Sequence, residues 1–241
     1  MRMASVGVVI FCMIAAVIRV KLTETLRNGS VAINIADAVR EYPKAVKEGL
    51  AVWKLLPRSM FFLFLTNALS SFAFSVANPY FVVYAKDFLG VGGVLWAILM
   101  TWLSGSMIFA ALPSGKLVDK IGRRKPLLVS WVFLGVFPLL FLSRDLALLF
   151  VGFLLFGVSN VLFGAAYQAL EADLVPRELR GKEVGCSQFI MYVLVAVGGL
   201  IGGVAYEFVS PILPFVFASA INVPCAAVTL LRIHDAKKRE K

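Results

Sequence analysis

The residues of this 241-residue chain best placed for chemistry are charges, and the chemistry they suit is ion pairing. Between Gly115 and Lys125 the sequence reads Gly-Lys-Leu-Val-Asp-Lys-Ile-Gly-Arg-Arg-Lys, five cations and one acid between two long apolar runs. Asp119 and Arg123 stand four apart, so on a continuous helix they can meet as a pair. Gly115 lets a neighbouring helix approach closely, and Gly122 turns the chain at little steric cost. A second short stretch carries Glu171, Asp173, Pro176, Arg180 and Gly181. Asp173 or Glu171 can pair with Arg123, which then orients Asp119. One exposed ion pair is worth only about 0–1 kcal/mol, so a conformational bias requires several coupled, partly buried pairs. Covalent catalysis has no comparable support. The only histidine, His234, lies in a basic tail, no carboxylates pair within the apolar runs, and Cys12, Cys186 and Cys225 lack metal-ligand spacing. No enzyme activity, cofactor or metal is expected.

The elements that hold these charges are apolar. With 60% hydrophobic and 16% charged residues the chain is too oily for a water-facing globule. Seven runs approach or reach the roughly 20 residues that cross a hydrocarbon core: Met3–Ile18, which is short, Met60–Ala85, Val91–Pro113, Pro126–Leu142, Leu146–Leu170, Ser187–Tyr206 and Ile212–Leu231. Backbone groups in lipid must be satisfied internally, so each run is expected to be a helix and the fold all-α, with seven transmembrane helices. Met1–Val20 lacks a small-residue cleavage site and reads as a retained span.

Cations collect on the cytoplasmic side of membrane proteins. Alternate loops hold 21 of the 24 Lys and Arg residues, and Arg2, Lys86 and Arg144 are the remainder. The N-terminus is therefore expected outside and the C-terminus in the cytoplasm. The net charge of +10 is explained by this orientation, without nucleic-acid binding. Residues 28–58 form a polar, basic linker. In it Ser30 can cap a helix running through Tyr42, Pro43 can open a second one, and Val46, Leu50, Trp53 and Leu56 recur at helical spacing. Two readings stand: a helix in the plane of the membrane, with Trp53 at headgroup depth and Lys44, Lys47 and Lys54 toward anionic lipid, or a solvated connector.

Polar residues also align within the spans. Asn67, Ser71 and Asn78 fall on one face of the second run, and Asn160, Gly164, Tyr167 and Glu171 on one face of the fifth. Pro79 removes a helix hydrogen bond and predicts a kink. Asn67, Ser71, Asn78, Asn160 and Tyr167 are candidate contacts for a small solute, or else hydrogen bonds between helices. Gly198, Gly199, Gly202 and Gly203 predict close helix packing, with Gly152, Gly157 and Gly164 as weaker examples. No ionisable residue sits at mid-span; Glu171 lies near the inner end and Asp87 near the outer. A proton site is expected on helices outside this chain, unless coupling runs through Glu171 or the solute moves without an ion.

The Gly115–Lys125 pattern, Gly, three residues, Asp, a cation, one residue, Gly and two Arg, resembles the signature loop of the major facilitator superfamily of secondary transporters. The stretch from Glu171 to Gly181 is similar to a recurring loop of the same family. That resemblance implies a half-transporter fold: residues 1–27 as the last helix of an amino half, 28–58 as the central linker, 59–232 as a six-helix carboxyl half and 233–241 as a cytoplasmic tail. It also implies two inverted three-helix repeats, which split the block into Met60–Leu142 and Leu146–Leu231. Phe74, Val76 and Asn78 have the spacing of Phe156, Val158 and Asn160, an echo of such a repeat. By resemblance, Gly115, Asp119, Gly122, Arg123 and Arg124 belong to a latch that closes the cytoplasmic faces of two halves. The function implied is secondary active transport of a small solute by alternating access at the plasma membrane. The partners implied are the solute, the lipid bilayer and a missing amino half or a second copy. The competing reading is a non-transporting membrane interaction or assembly protein.

Overall fold

The computed structural model describes residues 12–17, 44 and 47–233. Residues 12–17 are helical and belong to a unit separate from the one containing residues 44–233. The rest of the first expected span, the linker through Pro43, Val46, His234 and the tail lie outside the described residues.

Within residues 44–233 the helices are α1 (Arg58–Ala77), α2 (Tyr80–Asp87), α3 (Gly93–Ile121), α4 (Arg124–Phe141), α5 (Leu146–Leu174), α6 (Arg180–Val204) and α7 (Leu213–Arg232). Helices α1 and α2 make one span, interrupted at Asn78 and Pro79 where the sequence predicts a kink. Helix α6 runs on through a π-helical turn, Ala205–Val209. Among the described residues six helices are thus long and apolar enough to cross a membrane, and the chain is a multi-pass membrane protein.

The helix ends follow from local chemistry. Asp145 caps α5 by accepting hydrogen bonds from the amides of Ala147 (2.7 Å) and Leu148 (3.4 Å), two of the orphan donors of a helix start. Pro126 and Pro214 sit in the first turns of α4 and α7, where the missing amide hydrogen is harmless. Pro113 does not end α3, because membrane helices tolerate an interior proline when nearby groups satisfy the freed carbonyl. The helix stops at Gly122, whose φ of 85° a side chain would oppose. At 1.5 Å per residue, the 29 residues of α3 and of α5 extend past a hydrocarbon core about 30 Å thick.

Two boundaries therefore differ from expectation. The Gly115–Lys125 loop shrinks to Gly122 and Arg123, with Gly115–Ile121 forming the last turns of α3. Helix α6 begins at Arg180 rather than at Ser187 and so takes in Lys182 and Glu183. In both places the apolar run ends before the helix does.

The bundle packs with an internal two-fold pattern. The main contacts are α1 with α6 and α7, α5 with α3 and α4, and α4 with α7. Exchanging the first three spans for the second three maps this set onto itself, as expected for two inverted repeats. Phe74 and Phe156, at matching places in the repeats, stack on one another with centroids 5.3 Å apart.

Small residues set the closest approaches. A methyl at Gly202 would collide with the Val76 carbonyl, and one at Gly198 would come within 2.9 Å of the Phe72 oxygen. Gly157 is held equally tightly, against Leu103 and Ser106, whereas Gly115, Gly164 and Gly199 face open space. Gly115 therefore admits no neighbouring helix from the described residues, contrary to expectation. Phe81, Phe137, Phe141, Phe153 and Phe215 are buried together at the end remote from the basic loops. A second core of Met60, Leu63, Trp131, Leu170 and Cys225 fills the basic end.

Residues 47–52 form a helical turn docked on this block. Gly49 lies against Cys186, Val52 is buried, and Trp53 packs on Phe64 with centroids 4.6 Å apart, while Leu50 stays exposed. Trp53 is thereby held against the start of α1. Glu48 pairs with Lys182 at 2.9 Å, and that hydrogen bond, with the ammonium charge, holds its carboxyl below the usual range.

Candidate functional site

At the basic end, three helix termini meet around the α3–α4 turn. Arg123 forms an ion pair with Asp173, in the last turn of α5, with 32% and 29% of the two side chains exposed. Of the two acids that the sequence offers Arg123, this is the one it meets. Arg124 donates to the Leu230 carbonyl near the end of α7. Arg180 donates from Nε to the Val175 carbonyl at 3.2 Å and from Nη2 to that of Ala172. Cations at helix C-termini satisfy carbonyls that have no intrahelical partner and oppose the negative end of the helix dipole. The two signature arginines therefore brace α5 and α7 inside this one block.

Asp119 is exposed, and no hydrogen bond or ion pair reaches it from the described residues. The break at Gly122 removes the continuous helix on which Asp119 and Arg123 would have met. Pro176 stands in the turn between α5 and α6, and Gly181 in the first turn of α6 has open space where a Cβ would be.

A polar chain crosses from α1 to α6 below this network. Ser71 Oγ donates to Asn67 Oδ1 at 3.3 Å, and the Asn67 amide is within hydrogen-bonding reach of the Tyr167 hydroxyl. Tyr167 stands beside Glu171, which is in hydrogen-bonding reach of Glu183. Glu183 is wholly buried, and its Oε1 accepts from Ser187. The structure thus brings together Asn67, Ser71, Tyr167 and Glu171. It leaves Asn78 exposed at the α1–α2 break and commits the Asn160 amide to the Phe156 carbonyl of its own helix at 2.7 Å.

Three features escaped sequence reasoning. Glu183 is one, hidden among loop charges. Asn222 is another; buried on α7, it accepts from Ser70 at 2.9 Å and joins α7 to α1. A groove of about 890 Å³ also opens between α3 and α5, lined by Trp102, Ser106, Ser114, Phe150 and Leu154 among others. Its α5 residues recur at four-residue steps on a face turned away from Asn160. None of the five candidate solute contacts lines it. The small residues Gly105, Ser106 and Ser114 were its only sequence signal.

Residues 60–241 match the family model described as Major Facilitator Superfamily. The chain belongs to the major facilitator superfamily. Among curated proteins, it is 26% identical over 182 residues to the quinolone resistance protein NorA of Staphylococcus aureus strain Mu50, covering 75% of this chain and 46% of that protein. It is 25% identical over 179 residues to the uncharacterised MFS-type transporter MJ1317 of Methanocaldococcus jannaschii, covering 70% and 44% of the two chains. The chain thus spans about half the length of these superfamily relatives. Membership and the six apolar spans make it a multi-pass membrane protein of a transporter superfamily.

Proposed function

We propose that residues 59–232 act as the carboxyl half of a secondary transporter that moves a small solute by alternating access. The observation that carries this reading is the two-fold packing of six spans in a chain of this superfamily, because inverted repeats create two alternative openings by rocking about a fixed site. An amino half or a second copy completes the passage. The basic end lies in the cytoplasm, since cations resist translocation. There Arg123, Arg124 and Arg180 keep the ends of this half rigid, while exposed Asp119 is offered to the opposite half as the latch. The α3–α5 groove has the size of a small-molecule site, and its apolar lining favours an amphipathic solute over a sugar.

One relative is named for quinolone resistance, which supplies a probe. The chain is reconstituted into liposomes, alone and joined to the amino half of a superfamily relative, and flux of a fluorescent quinolone is followed under an imposed pH gradient. Flux above that of empty vesicles supports transport. No flux from folded, inserted protein in either form contradicts it and favours the interaction or assembly reading.

A further inference from the structure

Glu183 has no exposed surface, although it is a carboxyl in the first turn of a membrane helix. Its Oε1 accepts from Ser187, and its Oε2 is buried without a hydrogen-bond donor among the described residues. The side chain that faces it from α5 is a second carboxyl, Glu171, within hydrogen-bonding reach. As two carboxylates they can only repel, since neither can donate. With one proton between them, one carboxyl donates to the other and like charges no longer meet.

The surroundings match one negative charge on the pair. Arg180 is the cation near Glu171, and it also binds the carbonyls of Ala172 and Val175. Tyr167 faces both acids from α5, and the neutral amide of Asn67 approaches Tyr167 from α1. Lys182 is engaged by Glu48 of the docked turn. The start of α6 adds the positive end of its dipole, which favours an anion there.

We propose that Glu171 and Glu183 form a proton-binding site, a carboxyl–carboxylate pair that clasps the ends of α5 and α6 around a single proton. Glu171 is half-buried and connects the enclosed Glu183 to the surface. When the proton leaves to water, two carboxylates remain face to face. This repulsion arises two residues from Asp173, whose pairing with Arg123 ties the same end of α5 to the α3–α4 turn. Proton release therefore loosens the basic end. The site stands on the burial of Glu183 and on Arg180, one turn earlier, which holds the start of α6 to the Ala172 carbonyl beside Glu171; only its use to drive a solute rests on the transport reading.

Infrared difference spectra of the full chain in lipid nanodiscs, titrated through neutral pH, test the site without any solute. The expected result is a protonated-carboxyl carbonyl band at neutral pH that moves on ¹³C labelling of glutamate and disappears in both E171Q and E183Q. The labelling readout does not depend on either variant folding. Absence of the band at neutral pH, or its insensitivity to glutamate labelling, overturns the proposal. Loss of the band on replacing choline by sodium at fixed pH also overturns it, by showing a metal-cation site instead.

Discussion

Reversing the charge at Arg123 would set a carboxylate against Asp173 and release the end of α5 from the α3–α4 turn. The pair is partly exposed, so its contribution sits near the upper end of surface pairs, about 1 kcal/mol. Arg123→Glu should lower the thermal stability of the purified protein by about that amount, and adding Asp173→Arg should recover most of it. In the assembled transporter the same variant should raise cysteine labelling at the basic end, and the double variant should reverse the change. Equal loss in single and double variants would separate Arg123 from Asp173. The charges of this pair are legible in the sequence because acid and base each lie beside an apolar run. Glu183 was not, since directly after Arg180 and Lys182 it reads as one more solvated charge. Only the folded bundle, in which α6 packs on α1, shows that it is enclosed.

Helix packing in lipid gains little from the hydrophobic effect, so close approach at small residues carries more weight. Gly199 and Gly202 are indistinguishable by spacing alone, yet a Cβ meets open space at the first and the Val76 backbone at the second. Gly202→Ala should cost about 1–3 kcal/mol, the usual range for forcing bulk into a close contact, read as a lower unfolding temperature in detergent. Gly199→Ala should leave that temperature unchanged or raise it, since alanine is the better helix former. Similar losses in both would mean that α6 does not pack on α1 through this face. The spans were legible as helices because 18 or more apolar residues allow little else. Their ends were less so: hydropathy stops at the first charge, while α3 continues to Ile121 and α6 starts at Arg180. Phenylalanine abundance was equally ambiguous, because burial between helices and exposure to lipid favour the same residue. The structure places Phe81, Phe137 and Phe215 between helices.

For the whole molecule, the two-fold exchange of packing pairs and the one-sided distribution of cations describe the same object. Three spans return the chain to the opposite side, so a second set of three must be inverted. The paired ends of α3, α5 and α7 then fall on one face. The superfamily's signature pattern made this architecture legible from few residues, because Gly122 is required at the turn and the arginines beyond it reach helix ends. The groove between α3 and α5 was not legible, as its walls are the same apolar residues that face lipid elsewhere. The central claim, a bundle crossing the membrane with its arginine-bearing turn in the cytoplasm, is tested most directly by single cysteines at Lys120 and Phe88 in a variant with Cys12, Cys186 and Cys225 replaced. Intact cells are treated with a membrane-impermeant maleimide, before and after permeabilisation. The cysteine at residue 88 should label in intact cells and that at residue 120 only after permeabilisation. Labelling of residue 120 from outside, with residue 88 protected, would contradict the account.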